Sequence, residues 1–176
     1  MRRLINRPVA IAIFLLPLLL AGSFSTFSQL NNNQTPNKEI PVRELLQLSG
    51  KVVGEAKTTQ PSGDLKLTGY RVEELQLPRN ITTEIRGQQV VTAKAWRVTV
   101  LGGPFPVRAL PAVVWIDDQI VGNGIENETL TQISAITFDS SLIRAGAVVS
   151  ISYGEDKESR RRVPQTIQLK QEGENQ

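Results

Sequence analysis

The chain has 176 residues, 20 of them Lys or Arg and 17 Asp or Glu, with a formal net charge of +3 and neither cysteine nor histidine. Without cysteine there is no disulfide staple and no lipid-modified cysteine anchor. Without histidine the commonest general base and metal ligand is missing, which excludes Ser–His and Cys–His nucleophile systems and ordinary zinc sites.

The N-terminus reads as an export signal. Arg2, Arg3 and Arg7 precede an apolar run, Val9–Ala21, broken only by Pro17, and small residues follow at Ala21-Gly22-Ser23, Ser25, Thr26 and Ser28. That order is the signature of a cleavable signal peptide, and the run is shorter than the roughly 20 residues a membrane-spanning helix needs. Cleavage after Ser28 is expected, giving a signal over residues 1–28; a cut after Ser23 is the alternative. Three arginines and no acidic residue leave with it, so the remaining chain carries equal numbers of basic and acidic side chains. A neutral chain gives no electrostatic reason to expect nucleic acid or an anionic membrane as partner. Membrane association is expected only through the N-terminal segment, if it stays uncleaved. The signal's style and the lack of cysteine favour a bacterial, periplasmic or extracellular protein.

Residues 29–41 (QLNNNQTPNKEIP) are polar and Asn-rich and read as a disordered linker. The folded part is expected over 42–170, with a frayed tail at 171–176. Val42–Leu48 fits neither a helical nor a strand period, because its leucines fall at 45, 46 and 48. Lys51–Thr59 and Leu65–Leu77 read as strands joined by a turn at Gln60–Asp64. A shift of alternation at Gly69 predicts a β-bulge, and Pro78 closes the strand. Ile81–Ile85 and Gln89–Leu101 follow as a further pair around Arg86-Gly87. Residues 102–111, with two glycines and three prolines, exclude a central strand.

Ala112–Ile116 is apolar on both faces and predicts a central strand, which turns at Asp117-Asp118-Gln119 into Ile120–Val121. Thr129–Phe138 predicts another strand, and Asp139–Gly146 a connection with room for one helical turn. Val148–Tyr153 alternates cleanly. Val163–Leu169 closes the series, with Pro164 arguing for an edge position. Short strands, regular turns and no long amphipathic helix predict an all-β fold, an antiparallel sandwich. Residues 42–95 either complete that sandwich or form a separate β subdomain.

Residues 96–169 resemble the immunoglobulin-like fold shared by plexins and transcription factors (IPT/TIG), an early-set sandwich. The resemblance rests on Val98–Gly102 followed by Phe105, on the Val-x-Ile strand and acidic turn Val114–Gln119, and on the Gly-bounded strand Ala145–Gly154. The chain departs from that family in lacking a Pro-Gly-rich first strand before Trp96. The resemblance implies an immunoglobulin-like sandwich that serves as a spacer or binding module, with no shared catalytic residues to carry over.

The candidate sites are few. Asp117-Asp118 is a paired carboxylate, but neighbouring strand residues point to opposite faces, and a calcium site would need further oxygens from Asn123, Glu126 or Glu128. Glu73-Glu74 has the same weakness. No acidic pair is flanked by sugar-binding aromatics, so the chain is expected not to be an enzyme and to hold no cofactor and no metal. Arg160-Arg161-Arg162 could grip phosphate, sulfate or carboxylate, yet Glu155, Asp156 and Glu158 in the same loop offset their field. Trp96 and Trp115 sit within strong strands and are expected to pack in the core. Phe105, between Pro104 and Pro106, is either an exposed partner contact or a plug over the sandwich end. Asn80-Ile81-Thr82 and Asn127-Glu128-Thr129 match the glycosylation acceptor pattern, which matters only in a eukaryotic source. The expected function is an exported, non-enzymatic module that binds a protein or glycan partner of the cell envelope through Phe105, Arg160, Arg161 and Arg162. The alternative is a spacer tethered by an uncleaved N-terminal anchor.

Overall fold

Two-residue alternation dictates two β layers, described over residues 40–170 of a computed structural model. The expected signal peptide, the linker up to residue 39 and the tail beyond residue 170 lie outside the described residues. The strands are β1 (Gly50–Ser62), β2 (Leu67–Ile85), β3 (Gln88–Leu101), β4 (Ala112–Ile116), β5 (Gln119–Asn123), β6 (Ile125–Glu126), β7 (Gln132–Thr137), β8 (Val148–Tyr153) and β9 (Arg161–Thr166). One helix, α1 (Val42–Gln47), precedes them. The strands form a five-stranded sheet in the order β1-β2-β3-β7-β6 and a four-stranded sheet in the order β5-β4-β8-β9, with antiparallel pairing throughout. Among the described residues no helix is long and apolar enough to cross a membrane.

The main core lies between the sheets. Tyr70 and Val72 of β2, Val98 and Val100 of β3, and Ile133 and Ala135 of β7 meet Ala112, Val114 and Ile116 of β4 and Val149 and Ile151 of β8. Each fully buried aliphatic side chain contributes about 1.5–3 kcal/mol through removal from water. Tyr70 also clasps the layers. Its hydroxyl donates to the Thr166 carbonyl at 3.0 Å and accepts from the Gln168 amide at 2.7 Å, so the buried phenol is fully satisfied. Gly124 marks the crossing from the four-stranded sheet to the five-stranded one. A Cβ there would stand 2.3 Å from Ile133 Cγ2, so a side chain would force the strands apart.

Several sequence expectations hold and others are corrected. All five residues of β4 are buried, as a central strand requires. β9 is an edge strand, consistent with Pro164, and Ser140–Leu142 forms a single 3-10 turn. Pro78, however, does not end its strand. β2 runs on to Ile85 because Leu77–Asn80 bulge out against Ala93 alone, leaving the proline with no ladder bond to make. The slip expected at Gly69 is found beside it: β1 bulges between Lys57 and Ser62, opposite Gly69 and Leu67, and Leu67 turns into the main core together with Tyr70 and Val72. That glycine is in register with Lys57 and Leu101, and a Cβ there would lie 2.0 Å from the Ala56 carbonyl, so it serves close strand approach. Residues 50–85 belong to the same sheet as β3 and β7.

A second, smaller core sits on the outer face of the five-stranded sheet. Leu75, Leu77, Ile81 and Ala95 are buried there beneath Leu45 of α1, with Ile40, Leu48, Ile136 and Phe138 packed around them. Ile40 and Pro41, assigned by sequence to the linker, therefore belong to the folded part: Pro41 is the N-cap, and its carbonyl accepts from the Glu44 and Leu45 amides. At six residues α1 is too short to be stable alone, so its conformation follows from the apolar patch it covers. Tertiary burial settles a segment whose own periodicity was ambiguous.

Candidate functional site

The same outer face changes character one step further along the strands. Cross-strand register places Glu55, Arg71, Thr99, Ser134 and Ile125 in one row, and Glu73, Arg97 and Ile136 in the next. Neighbours within a row are close enough to bond, and they do. Arg71 donates twice to Glu55 Oε1, at 3.0 and 2.7 Å, and the Thr99 and Ser134 hydroxyls share a bond of 2.9 Å. Arg97 Nε donates to Glu73 Oε2 at 2.7 Å, in a pair whose side chains are only 15 % and 12 % exposed. Its Nη1 reaches the Leu46 carbonyl at 2.6 Å and the Leu48 carbonyl at 3.2 Å. Arg97 thus ties the end of α1 to the sheet, and a charge that burial would penalise is fully partnered.

Arg71, Thr99 and Ser134 of the first row and Glu73 and Arg97 of the second form the floor of a groove of about 790 Å³. α1 supplies one wall through Arg43, Leu46 and Gln47, while Ile125–Glu128 and Gln132 supply another. The loop behind that wall is held by Asn127, whose side-chain oxygen accepts from the Thr131 and Gln132 amides and whose amide donates to Thr129 and Thr131. That amide, the second glycosylation acceptor in the sequence, is therefore occupied within its own turn. The floor is polar, and its charged and hydroxyl groups are already paired with one another. Such a surface can receive a polar ligand with little reorganisation.

Glu73, Glu126, Asn127 and Glu128, noted in the sequence for other chemistry, line this groove, but the expected partner contacts Phe105 and Arg160–Arg162 are elsewhere. Phe105 is 1 % exposed and packs in the main core, with its amide bonded to the Leu130 carbonyl at 2.7 Å, so the expected surface contact is corrected to a plug. The exposed apolar groups of that loop are Val107 (80 %) and Leu110 (58 %). Beside them the Arg108 guanidinium lies 4.8 Å from the Tyr153 ring centre, and the Tyr153 hydroxyl donates to the Pro106 carbonyl at 3.0 Å. Burial, joined by the nearby Glu126 carboxylate and opposed by Arg108, pushes the Tyr153 hydroxyl above its ordinary value.

The arginine run is split by the alternation of β9 and its approach. Arg160 is folded over Trp115, 4.9 Å from the ring centre, and donates to the Asp117 carbonyl and Asp118 Oδ1, each at 2.7 Å. Arg161 donates to Asp64 Oδ1 at 2.9 Å, and Arg162 is exposed. The carboxylates that pair directly with the run are thus Asp118 and Asp64, from other turns. Hydrogen bonds from Arg160 and Arg161 hold the Asp118 and Asp64 carboxyls, respectively, below the usual carboxylate value. Asp117 is held apart from Asp118: it accepts from the Val148 amide at 2.9 Å and pairs with Arg144. Trp115 is buried on the outer face of the four-stranded sheet, its indole donating to Ser152 Oγ at 2.8 Å, and Trp96 packs against the main core.

Among the described residues no cluster of three or more Asp and Glu side chains could hold a metal ion. The groove was not legible as a site in the sequence. Its signal is the run of polar residues at alternate positions 71 and 73, 97 and 99, and 132 and 134, which converge only once the register is known. No family model, curated protein or solved structure matches this chain.

Proposed function

We propose that this protein is an exported, non-enzymatic β-sandwich module of the cell envelope or extracellular space, and that it binds a protein or glycan partner in the groove over Arg71, Arg97, Thr99 and Ser134. The observation that carries this reading is the groove itself, whose polar floor and two walls are built from residues fixed by their own bonds. An immunoglobulin-like sandwich of the IPT/TIG kind agrees with a binding or spacer role. Fold alone does not choose between them, and the groove favours binding.

The reading is tested by cross-linking and recovering the native chain from intact source cells, in parallel with a Ser134→Tyr variant that fills the floor. An N-terminus at Phe24 or Gln29, with a partner captured by the native chain and lost from the variant, is the expected result. An intact N-terminus in the membrane fraction, with the same proteins recovered from both chains, would leave a tethered spacer as the better account.

A further inference from the structure

A second cavity, of about 470 Å³, lies on the far side of α1 from the polar groove and differs from it in chemistry. Its wall is aliphatic and aromatic: Leu45 from α1, Ile81 from the outer part of β2, Ile136 and Phe138 at the end of β7, with Val42 and Ile125 half in solvent at its edge. The polar side chains on it are Thr82, Thr83 and Asn123, and among the described residues no charged side chain lines it. A cavity of this volume, mostly apolar with a few neutral hydrogen-bonding groups, has the make-up of a small-molecule site.

The surrounding structure is built to keep it open. The bulge at Leu77–Asn80 shifts the register of β2 by several residues, which carries Ile81, Thr82 and Thr83 onto the cavity wall. Beyond them the hairpin tip is tied down. Arg86 donates to Asp139 Oδ2 at 2.8 Å and to Ser141 Oγ at 2.5 Å, and Asp139 caps the 3-10 turn through the Ser141 amide at 2.9 Å. The strap joins the β2–β3 hairpin to the chain that follows Phe138, so two walls of the cavity are held at a fixed separation.

We infer that this cavity binds an uncharged aliphatic ligand, a chain or branched hydrocarbon bearing a neutral oxygen group that meets Thr82, Thr83 or Asn123. The charge balance selects the class: an ionised carboxylate or amine would lose its hydration against walls that offer no counter-charge. The inference is independent of the polar groove, since the two cavities share only Ile125 at an edge.

The test uses the full chain and the neutral fluorescent probe N-phenyl-1-naphthylamine. Saturable enhancement at one site is expected, with displacement by 1-decanol about tenfold more effective than by decanoate at neutral pH. Ile136→Trp fills the cavity and is expected to abolish enhancement. Thr83→Phe, at a half-exposed position, fills it from the rim and guards against misfolding of the first variant, with circular dichroism reporting the fold. The inference is overturned if the native chain gives no saturable signal. It is equally overturned if folded Thr83→Phe binds the probe as the native chain does, or if decanoate competes as well as decanol.

Discussion

Arg97→Met removes the charge that joins the groove floor to α1 while keeping a flexible apolar stem of similar length. Glu73 would then be left 12 % exposed with no cation, and the Leu46 and Leu48 carbonyls would lose donors at 2.6 and 3.2 Å. Breaking a largely buried pair by removing one partner costs about 3–5 kcal/mol, because the remaining charge stays desolvated. The helix carbonyls can turn to water, since α1 is mostly exposed, so they add little. The net expectation is about 3 kcal/mol, at the lower end because neither side chain is fully buried. Urea unfolding of the native chain, Arg97→Met, Glu73→Leu and the double variant forms a thermodynamic cycle. The double variant should recover at least 1–2 kcal/mol, about the saving from removing both charges together, relative to Arg97→Met. Limited proteolysis should cut near α1 sooner in Arg97→Met. Additive losses, or a loss under about 1 kcal/mol for Arg97→Met, would refute the idea that this pair is a desolvated unit.

Tyr70→Phe should cost about 1–2 kcal/mol in urea unfolding, since the Thr166 carbonyl and Gln168 amide lose their shared partner; an unchanged midpoint would contradict the inter-sheet clasp. Arg160→Ala in a Trp96→Phe background should uncover Trp115, shift its emission to longer wavelength and cost about 1–2 kcal/mol; unaltered emission would mean the guanidinium does not cover the ring. Asp139 gives a pH dependence. Burial raises its carboxyl, but hydrogen bonds from Ser141 and Arg86 outweigh that and hold it below the ordinary value. A depressed folded pKa contributes stability above the unfolded value of about 4, and that contribution fades as pH falls through the folded value. The stability gap between the native chain and Asp139→Asn should therefore be widest near neutral pH and close on acidification, and a gap that stays constant into acid would be evidence against the strap.

Elements fixed by local pattern were legible from the chain. Ala112–Ile116 is apolar at every position, and only a strand covered on both faces tolerates that. Pro164 can sit only where no ladder donor is needed, hence at an edge. Pro78 shows where the same rule misleads, because a bulge gives a proline an unpaired place inside a continuing strand. Arg160 and Phe105 show a different gap. Their environments are set by Trp115, Asp117 and Leu130, which are distant in sequence and adjacent only through sheet pairing. The groove belongs to that second kind, since Glu73 meets Arg97, and Thr99 meets Ser134, by register alone.

The central claim, that the outer face of the five-stranded sheet is the binding surface, is tested most directly by photo-cross-linking from defined positions. A benzophenone side chain placed at Gln132, in the groove wall, and another at Arg162, exposed on β9 of the other sheet, would be activated in intact source cells. The account predicts a discrete adduct from Gln132 and none from Arg162. An adduct from Arg162 with none from Gln132 would contradict it and return the binding surface to the arginine run.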